Sequence, residues 1–575
     1  TYPKGLMYGL NMFDSWLYDD KEPFIHVESG SVFEELRAAM ETDYYENLIK
    51  ECFLDNKHAS LVKVEPKVGM TAQMDQEEAD RLAACKAKMS QEDLERLVRE
   101  TEELKAYQEE PNTPEELKCI PLLAREDIGR EVEPFSNIES QVEEIPFLQH
   151  DYQTNGIAYV RLSFDIKDLT AYAPYLGLLS ELISGMDTEK RDKLALSNEI
   201  LIHAGSFSVS ANSYERMRSD DYRLFMEVTT KVLYRELPYL MELTGEILTQ
   251  TILKDEKRLK EIVGEVRSGQ QASKLGSGHT TAAQRAGAYL SDRLACVEYI
   301  KGISYYDFLC DLEDNFEERK DQLIEILQAL TKEIFTKKRM SVSVTGDEEG
   351  AKALKEALPS LMSALPDQGD GDLPEAVYKV EPLPQNEGFK TASKVQYVAR
   401  CGNFAKKGIA YDGSYRVVKK ILSYDYLWNE VRVKGGAYGV MCSFTPSGYG
   451  SLMSYRDPNL ENTNEVYKKI PDYLDEFDAD ERDMMKYIIG TISDLDTPLT
   501  PRTKGARSYQ AYQLGITLEE KQRERQEVLA TDQAKVRQAA AMVRAVLEDE
   551  KICTIGGEEK VEAAADLFDH VRVLK

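Results

Sequence analysis

Within "NEVRVKGGAYGVMCSF", Asn429 to Phe444, Arg432 precedes Tyr438 by six residues, with Gly435 and Gly436 between them. A guanidinium offers a rigid fork of donors to carbonyls or a carboxylate. A phenol O–H can stabilise charge that develops on an oxygen. Paired glycines permit a turn that brings backbone close to a bound chain. The same pattern also describes a packed hairpin, with a strand-edge arginine and a tyrosine buried up to its hydroxyl. Little else in the sequence offers a reaction centre. The six histidines (His26, His58, His150, His203, His279, His570) are far apart. No two have helical ligand spacing, and neither His-x-x-Glu-His nor His-Glu-x-x-His occurs, so no metal site is expected in this chain. The eight cysteines are scattered without a Cys-x-x-Cys pair and read as reduced thiols of a cytosol-like compartment. No Walker loop, dinucleotide fingerprint or Gly-x-Ser-x-Gly elbow is found.

The elements that must position Arg432 and Tyr438 belong to a chain of 575 residues, enough for two to four domains, with 42% apolar residues and a formal charge of -30. Such a charge repels nucleic acid and anionic lipid, and no run of eighteen apolar residues exists. Between Thr71 and Ile145 stand 21 acidic and 9 basic residues. This excess reads as a solvated helical face or as an acidic wall for cationic peptides.

Four segments follow. Residues 1–66 close on "DNKHASLVKVEP", a strand-like run stopped by Pro66. Residues 67–144 are a charged helical hairpin, a spacer or a hinge, with Leu94, Leu97, Val98 and Leu104 on one face and "PNTP", Pro111 to Pro114, as a stop. Residues 145–375 carry strands at "YVRLSFDI", "YRLFMEV" and "RMSVSVTG", with helices around Leu240, Leu243 and Ile247 and after Gly346. A Pro-, Gly- and acid-rich linker follows; its Asp-Gly-Asp run lacks the glutamate that would close a calcium loop. Residues 376–575 repeat the third segment. "NEILIHAGSFSV", Asn198 to Val209, aligns without a gap on Asn429 to Val440, and "VTGDEE" corresponds to "IGGEEK". Leu201 and Phe207 then stand where Arg432 and Tyr438 do, so the copies are expected to share a backbone while one of them carries the chemistry. The fold class expected is α+β: two homologous domains, each an antiparallel-rich sheet with helices packed on it, preceded by a domain tail and the helical hinge. The opening "TYPKGLMYGL" has no initiator Met and no leader pattern, as expected for a fragment.

The duplicated unit, "LWNEVRVKGGAYG" and Tyr487 to Thr517 resemble the pitrilysin/insulysin superfamily of zinc metallopeptidases, closest to its presequence protease and falcilysin branch, over residues 1–575. The resemblance implies the C-terminal half of a four-domain enzyme that closes around a chamber. The zinc and its inverted motif would sit on a missing N-terminal half of the same parent chain. Arg432 and Tyr438 match the arginine and tyrosine that the fourth domain contributes across the chamber. Substrates would be unstructured peptides. The compartment would be the bacterial cytosol or an organelle matrix. A catalytically inactive homologue acting as a binding or scaffold subunit is the other reading.

Overall fold

A computed structural model describes residues 4–110, 112–217 and 221–575. Pro111, expected as a helix stop, lies outside them, as do residues 1–3 of the first segment. The described residues fall into two compact units, one ending at Leu123 and one beginning at Ala124.

The smaller unit is helical. Helices run over Lys4–Trp16, Gly30–Ala39, Tyr44–Ile49, Met70–Ala87, Gln91–Glu109 and Pro114–Lys118. Ser90 and Asp93 cap the fifth reciprocally and Thr113 and Glu116 the sixth, the arrangement that satisfies free N–H groups at a helix start. None of the unit's described side chains is buried. Residues 55–66, expected as a strand, are irregular, with Leu61 98% exposed. A strand needs a neighbour for its N–H and C=O groups, and no strand is described in this unit.

The larger unit holds two six-stranded sheets. The first contains β1 (Ile138–Val142), β2 (Ile145–Asp151), β3 (Ile157–Asp165), β4 (Ser206–Glu215), β5 (Tyr222–Leu233) and β6 (Met340–Gly346), in the order β1-β2-β6-β3-β5-β4. The second contains β7 (Glu387–Thr391), β8 (Tyr397–Asn403), β9 (Gly439–Phe444), β10 (Tyr449–Tyr455), β11 (Lys551–Gly557) and β12 (His570–Val573), in the order β12-β7-β11-β8-β10-β9. Five strands of each follow one plan: a parallel pair (β2 with β6, β7 with β11), then three antiparallel neighbours. Only the outer strand differs, β1 being antiparallel to β2 and β12 parallel to β7. This is the α+β fold expected, and the repeat read from Asn198 and Asn429 falls on corresponding helix-to-strand junctions.

One face of each sheet packs on its own half's helices. Val160, Leu162 and Phe164 of β3 point there and are nearly inaccessible. The opposite faces are covered by an exchange. The Pro501–Leu514 helix of the second half lies on the first sheet, and the Gly278–Ala288 helix of the first half lies on the second. Both helices approach closely. A Cβ at Gly505 would sit 1.9 Å from Thr345 Oγ1, and one at Gly278 would sit 2.2 Å from the Tyr397 ring. Beneath the Pro501–Leu514 helix, Glu227 of β5 is completely buried. It pairs with Arg161 and accepts from Tyr509 (2.8 Å), Tyr214 (3.0 Å) and Asn212 (2.8 Å). The Arg161 guanidinium also lies 4.5 Å from the Tyr509 ring centre. Beneath the Gly278–Ala288 helix, buried Arg285 donates to Glu387 of β7 (2.5 Å) and to Glu298 (3.1 Å), and Tyr289 adds a bond to Glu387 (2.8 Å). Buried carboxylates persist only when donors surround them, and here those donors come from both halves.

The stretch before β1 also crosses over. Ile128 enters the second core, Arg125 bonds Leu529 O (2.7 Å), and Arg525 holds Gly129 O (2.8 Å). The Pro- and Gly-rich linker has no helix or strand between residues 366 and 386, yet Leu373, Ala376 and Tyr378 pack on the first core.

Tyr509→Phe should lower the stability of this unit by about 2 kcal/mol, because one donor to a buried carboxylate is lost; denaturant unfolding monitored by circular dichroism measures it. His150, buried against Ser136 O (2.8 Å) and edge-on to Tyr509, is pushed down to about 4 by burial, with Arg161 adding to the effect. A depressed histidine favours the folded state above its ordinary value of about 6.5 and loses that contribution as pH falls toward 4. The melting midpoint should therefore fall across that window, and His150→Gln should flatten the slope.

Candidate functional site

The segment carrying Arg432 is not a hairpin. The Ser414–Ile421 helix continues through wide π-helical turns at Leu422–Tyr426 and Trp428–Lys434. Such turns are uncommon and concentrate at functional sites. Along them, cations lie over aromatic rings four residues away in the chain. Lys420 Nζ is 5.0 Å from the Tyr424 ring centre, and the Arg432 guanidinium is 4.1 Å from that of Trp428. The same guanidinium lies 5.8 Å from the Tyr438 ring. Val431, buried beside Arg432, anchors the turn in the second core.

Gly435 and Gly436 end the helix. A Cβ at Gly435 would lie 2.5 Å from Val431 O, and Gly436 has φ +79°, where a side chain is strained. Gly436 N–H bonds Arg432 O (2.9 Å) and Ala437 N–H bonds Val431 O (3.1 Å). Asn459 Nδ2 grips Gly435 O (2.6 Å). Asn459 N–H is in turn held by Asp457 (2.9 Å), a buried carboxyl raised above its usual range by burial and steadied by Thr463 (2.6 Å). The chain then enters β9, with Tyr438 N–H on Tyr455 O (3.1 Å).

The Tyr438 backbone is thus fixed while its side chain is 67% exposed, against the alternative of a phenol buried to its hydroxyl. Its ring meets Tyr455 edge-on at 5.9 Å, and Tyr455 meets His279 at 4.7 Å. His279 arrives on the exchanged Gly278–Ala288 helix, and burial lowers its pKa, which favours a neutral ring. Arg456, with φ +48°, lies 5.5 Å over the Tyr455 ring. Among the described residues no carboxylate pairs with Arg432 and nothing bonds the Tyr438 hydroxyl. In a chain of charge -30, an unpaired guanidinium beside a free phenol leaves a set of donors for an external acceptor.

The first copy departs here. Leu201 and Phe207 occupy the equivalent positions, Leu201 74% exposed and Phe207 packed on the first core. The expectation of a shared backbone holds for helix and strand but not for the turn. Ala204 leaves its helix extended, at φ -127° and ψ 139°, whereas its counterpart Gly435 is still helical, at φ -81° and ψ -19°, and Gly436 after it is left-handed. Sequence reasoning missed Trp428, which its four-residue spacing from Arg432 on a helix would have flagged. It also missed His279, Tyr455 and the Asp457–Asn459 brace, which only the fold brings near. Zinc, implied by the resemblance, finds no ligand set here: no three His, Cys, Asp or Glu side chains converge among the described residues.

Two family profiles match the sequence. One describes the region associated with subfamily C of the M16 peptidases and matches residues 64–312. The other, "PreP C-terminal domain", matches residues 386–557. Protein HypA of Clostridium perfringens is 36% identical over 574 residues, covering 100% of this chain and 58% of that protein. Presequence protease 1 (chloroplastic/mitochondrial) of Arabidopsis thaliana is 30% identical over 570 residues, covering 98% of this chain and 52% of that protein.

The chain belongs to the pitrilysin-type (M16) peptidases.

It corresponds to a C-terminal half in the presequence protease branch. This pitrilysin-type chain spans about half the length of the curated relatives it matches. Its fold is similar to that of a conserved protein from Enterococcus faecalis V583 (TM-score 0.53, 12% identity, 74% of this chain and 99% of that one). A protease from Helicobacter pylori is similar to the same degree (TM-score 0.52, 14% identity, 74% and 99%).

The stack between Arg432 and Trp428 can be checked by fluorescence. In a Trp16→Phe background Trp428 is the sole tryptophan. Arg432→Ala should then raise quenching by neutral acrylamide, because the guanidinium covers one indole face; unchanged quenching would mean that the stack does not form.

Proposed function

We propose that this chain is the substrate-gripping half of a zinc metalloendopeptidase that degrades short unstructured peptides inside a closed chamber. The observation that carries the proposal is the unpaired Arg432 guanidinium, stacked on Trp428 beside the free Tyr438 hydroxyl, in a member of a peptidase family. Arg432 would hold substrate carbonyls or a carboxylate with its fork. Tyr438 would donate to the scissile carbonyl as its oxygen gains charge. Gly435 and Gly436 let both side chains project from one short turn. Trp428 keeps the guanidinium flat and extended, which reduces the ordering that binding has to supply.

Zinc and the water that attacks the peptide would come from an N-terminal half of the same parent chain. Residues 1–66 would be the tail of that half's second domain, 67–144 the hinge, and 145–375 and 376–575 the third and fourth domains. The first of these divisions is supported by apolar side chains such as Phe13, Trp16, Phe53 and Leu61, which nothing in their own unit buries. The compartment would be a reducing one, the bacterial cytosol ahead of an organelle matrix; no described helix is long and apolar enough to cross a membrane.

The test is hydrolysis of a quenched fluorescent peptide by this chain with zinc, alone and mixed with the upstream half of its parent. Activity is expected only in the mixture. Tyr438→Phe and Arg432→Ala should each lower kcat/KM there by about 100-fold while leaving the melting midpoint in place. Unchanged kcat/KM would overturn the role of the pair and favour a binding or scaffold subunit. Chelator-sensitive activity of this chain alone would overturn the half-enzyme reading.

A further inference from the structure

A hollow of about 610 Å³ opens on the second half where the Arg400 side chain ends. Arg400 projects from β8 and is 8% exposed. Its Nε donates to Oδ1 of Asn464, a residue 1% exposed, at 2.5 Å. The other deeply buried arginines reach carboxylates: Arg285 binds Glu298 and Glu387, and Arg525 binds Asp496. Arg400 has no ion pair among the described residues. Burial lowers its pKa, and Glu550, on the wall of the same hollow, and Glu465 oppose that through space. The amide of Asn464 is oriented by the bond it accepts, and its buried Nδ2 has no acceptor. The guanidinium therefore reaches the hollow with no carboxylate in contact, while the Asn464 amide lies behind it and outside the hollow's lining. A buried charge without a partner is costly, and groups so placed in native proteins are normally matched by an ion or ligand.

The surroundings define the missing acceptor. Lys468 and Arg544 also line the hollow, but they are engaged by Glu465 and Asp475. The rest of the polar wall is Asn386 and five carboxylates, Asp472, Glu548, Glu550, Asp566 and Asp569. A multiply charged anion such as phosphate would meet these carboxylates as well as Arg400. A molecule with one carboxylate and one ammonium satisfies both ends. The volume lies in the range of small-ligand sites, about 300–1,000 Å³. None of the residues around Arg432 and Tyr438 lines this hollow.

We propose that the hollow is a binding site for a small zwitterion, an α-amino acid or short peptide, with its carboxylate on Arg400, which Asn464 orients from behind, and its ammonium toward the acidic wall. This does not depend on the peptidase reading.

The test is calorimetric titration of the full chain with L-alanyl-L-alanine. Binding is expected, and alanyl-alaninamide, which lacks the carboxylate, should bind about tenfold more weakly or worse. Asn464→Asp keeps the side chain's shape and sets a carboxylate against Arg400. It should raise the melting midpoint and weaken the dipeptide by a similar factor, so the proposal is testable even if Arg400 variants do not fold. Absence of dipeptide binding at millimolar concentration would overturn the proposal. So would undiminished binding to Asn464→Asp, or inorganic phosphate binding more tightly than the dipeptide.

Discussion

The larger unit depends on one constraint: each sheet buries charge on its second face, and the helix that covers that face belongs to the other half. Glu227 completes its donor shell with Tyr509 from the second half, and Glu387 takes Arg285 and Tyr289 from the first. Withdrawing either helix would leave a carboxylate in an apolar interior with part of its donor shell missing, a larger penalty than losing a surface ion pair. The exchange also creates a third apolar cluster, in which Ala282, Ala286 and Tyr306 meet Phe389, Ala399 and Ile555. The two halves are therefore one body, although the sequence repeats.

That body sets the surroundings of the candidate site. β10 supplies Tyr455 and fixes the backbone of Tyr438, and the exchanged helix sets His279 against Tyr455. The π-helical turns set Arg432 on Trp428, and Gly436 stops the helix so that Tyr438 projects beside the guanidinium. The first copy has the same strand order but an ordinary helix exit and no cation. Duplication conserved the sheet, and the chemistry diverged at one turn, because a helix terminus can change without disturbing the core behind it.

Charge balance connects this site with the Arg400 hollow. In a chain with 102 acidic and 72 basic residues, most cations find carboxylates. Arg432 and Arg400 are exceptions of different kinds. The first is held by aromatic faces at the surface, where water and substrate can reach it. The second is buried beside an amide whose own donor is unused. The smaller unit has the converse imbalance: its apolar side chains lack a core of their own.

Local pattern along the chain was enough for the repeat, the strands at "YVRLSFDI" and "YRLFMEV", the helix that carries Leu94, Leu97, Val98 and Leu104, the helix after Gly346, and the family. All of these rest on periodicity, turn residues and matched residues that lie close together in the chain. The same reading singled out Arg432 and Tyr438, since their counterparts Leu201 and Phe207 show what the fold tolerates without them. It misread residues 55–66, whose alternation looks like a strand but has no neighbour to pair with. It could not show that Arg161, Ser163 and Glu227 lie beneath a helix, because polar alternation reads as a solvent face until something covers it. Nor could it show that Asn459 braces Gly435 or that Asn464 meets Arg400. Those contacts join residues far apart in the chain, and only the packing of one half on the other, or of one layer on the next, decides them.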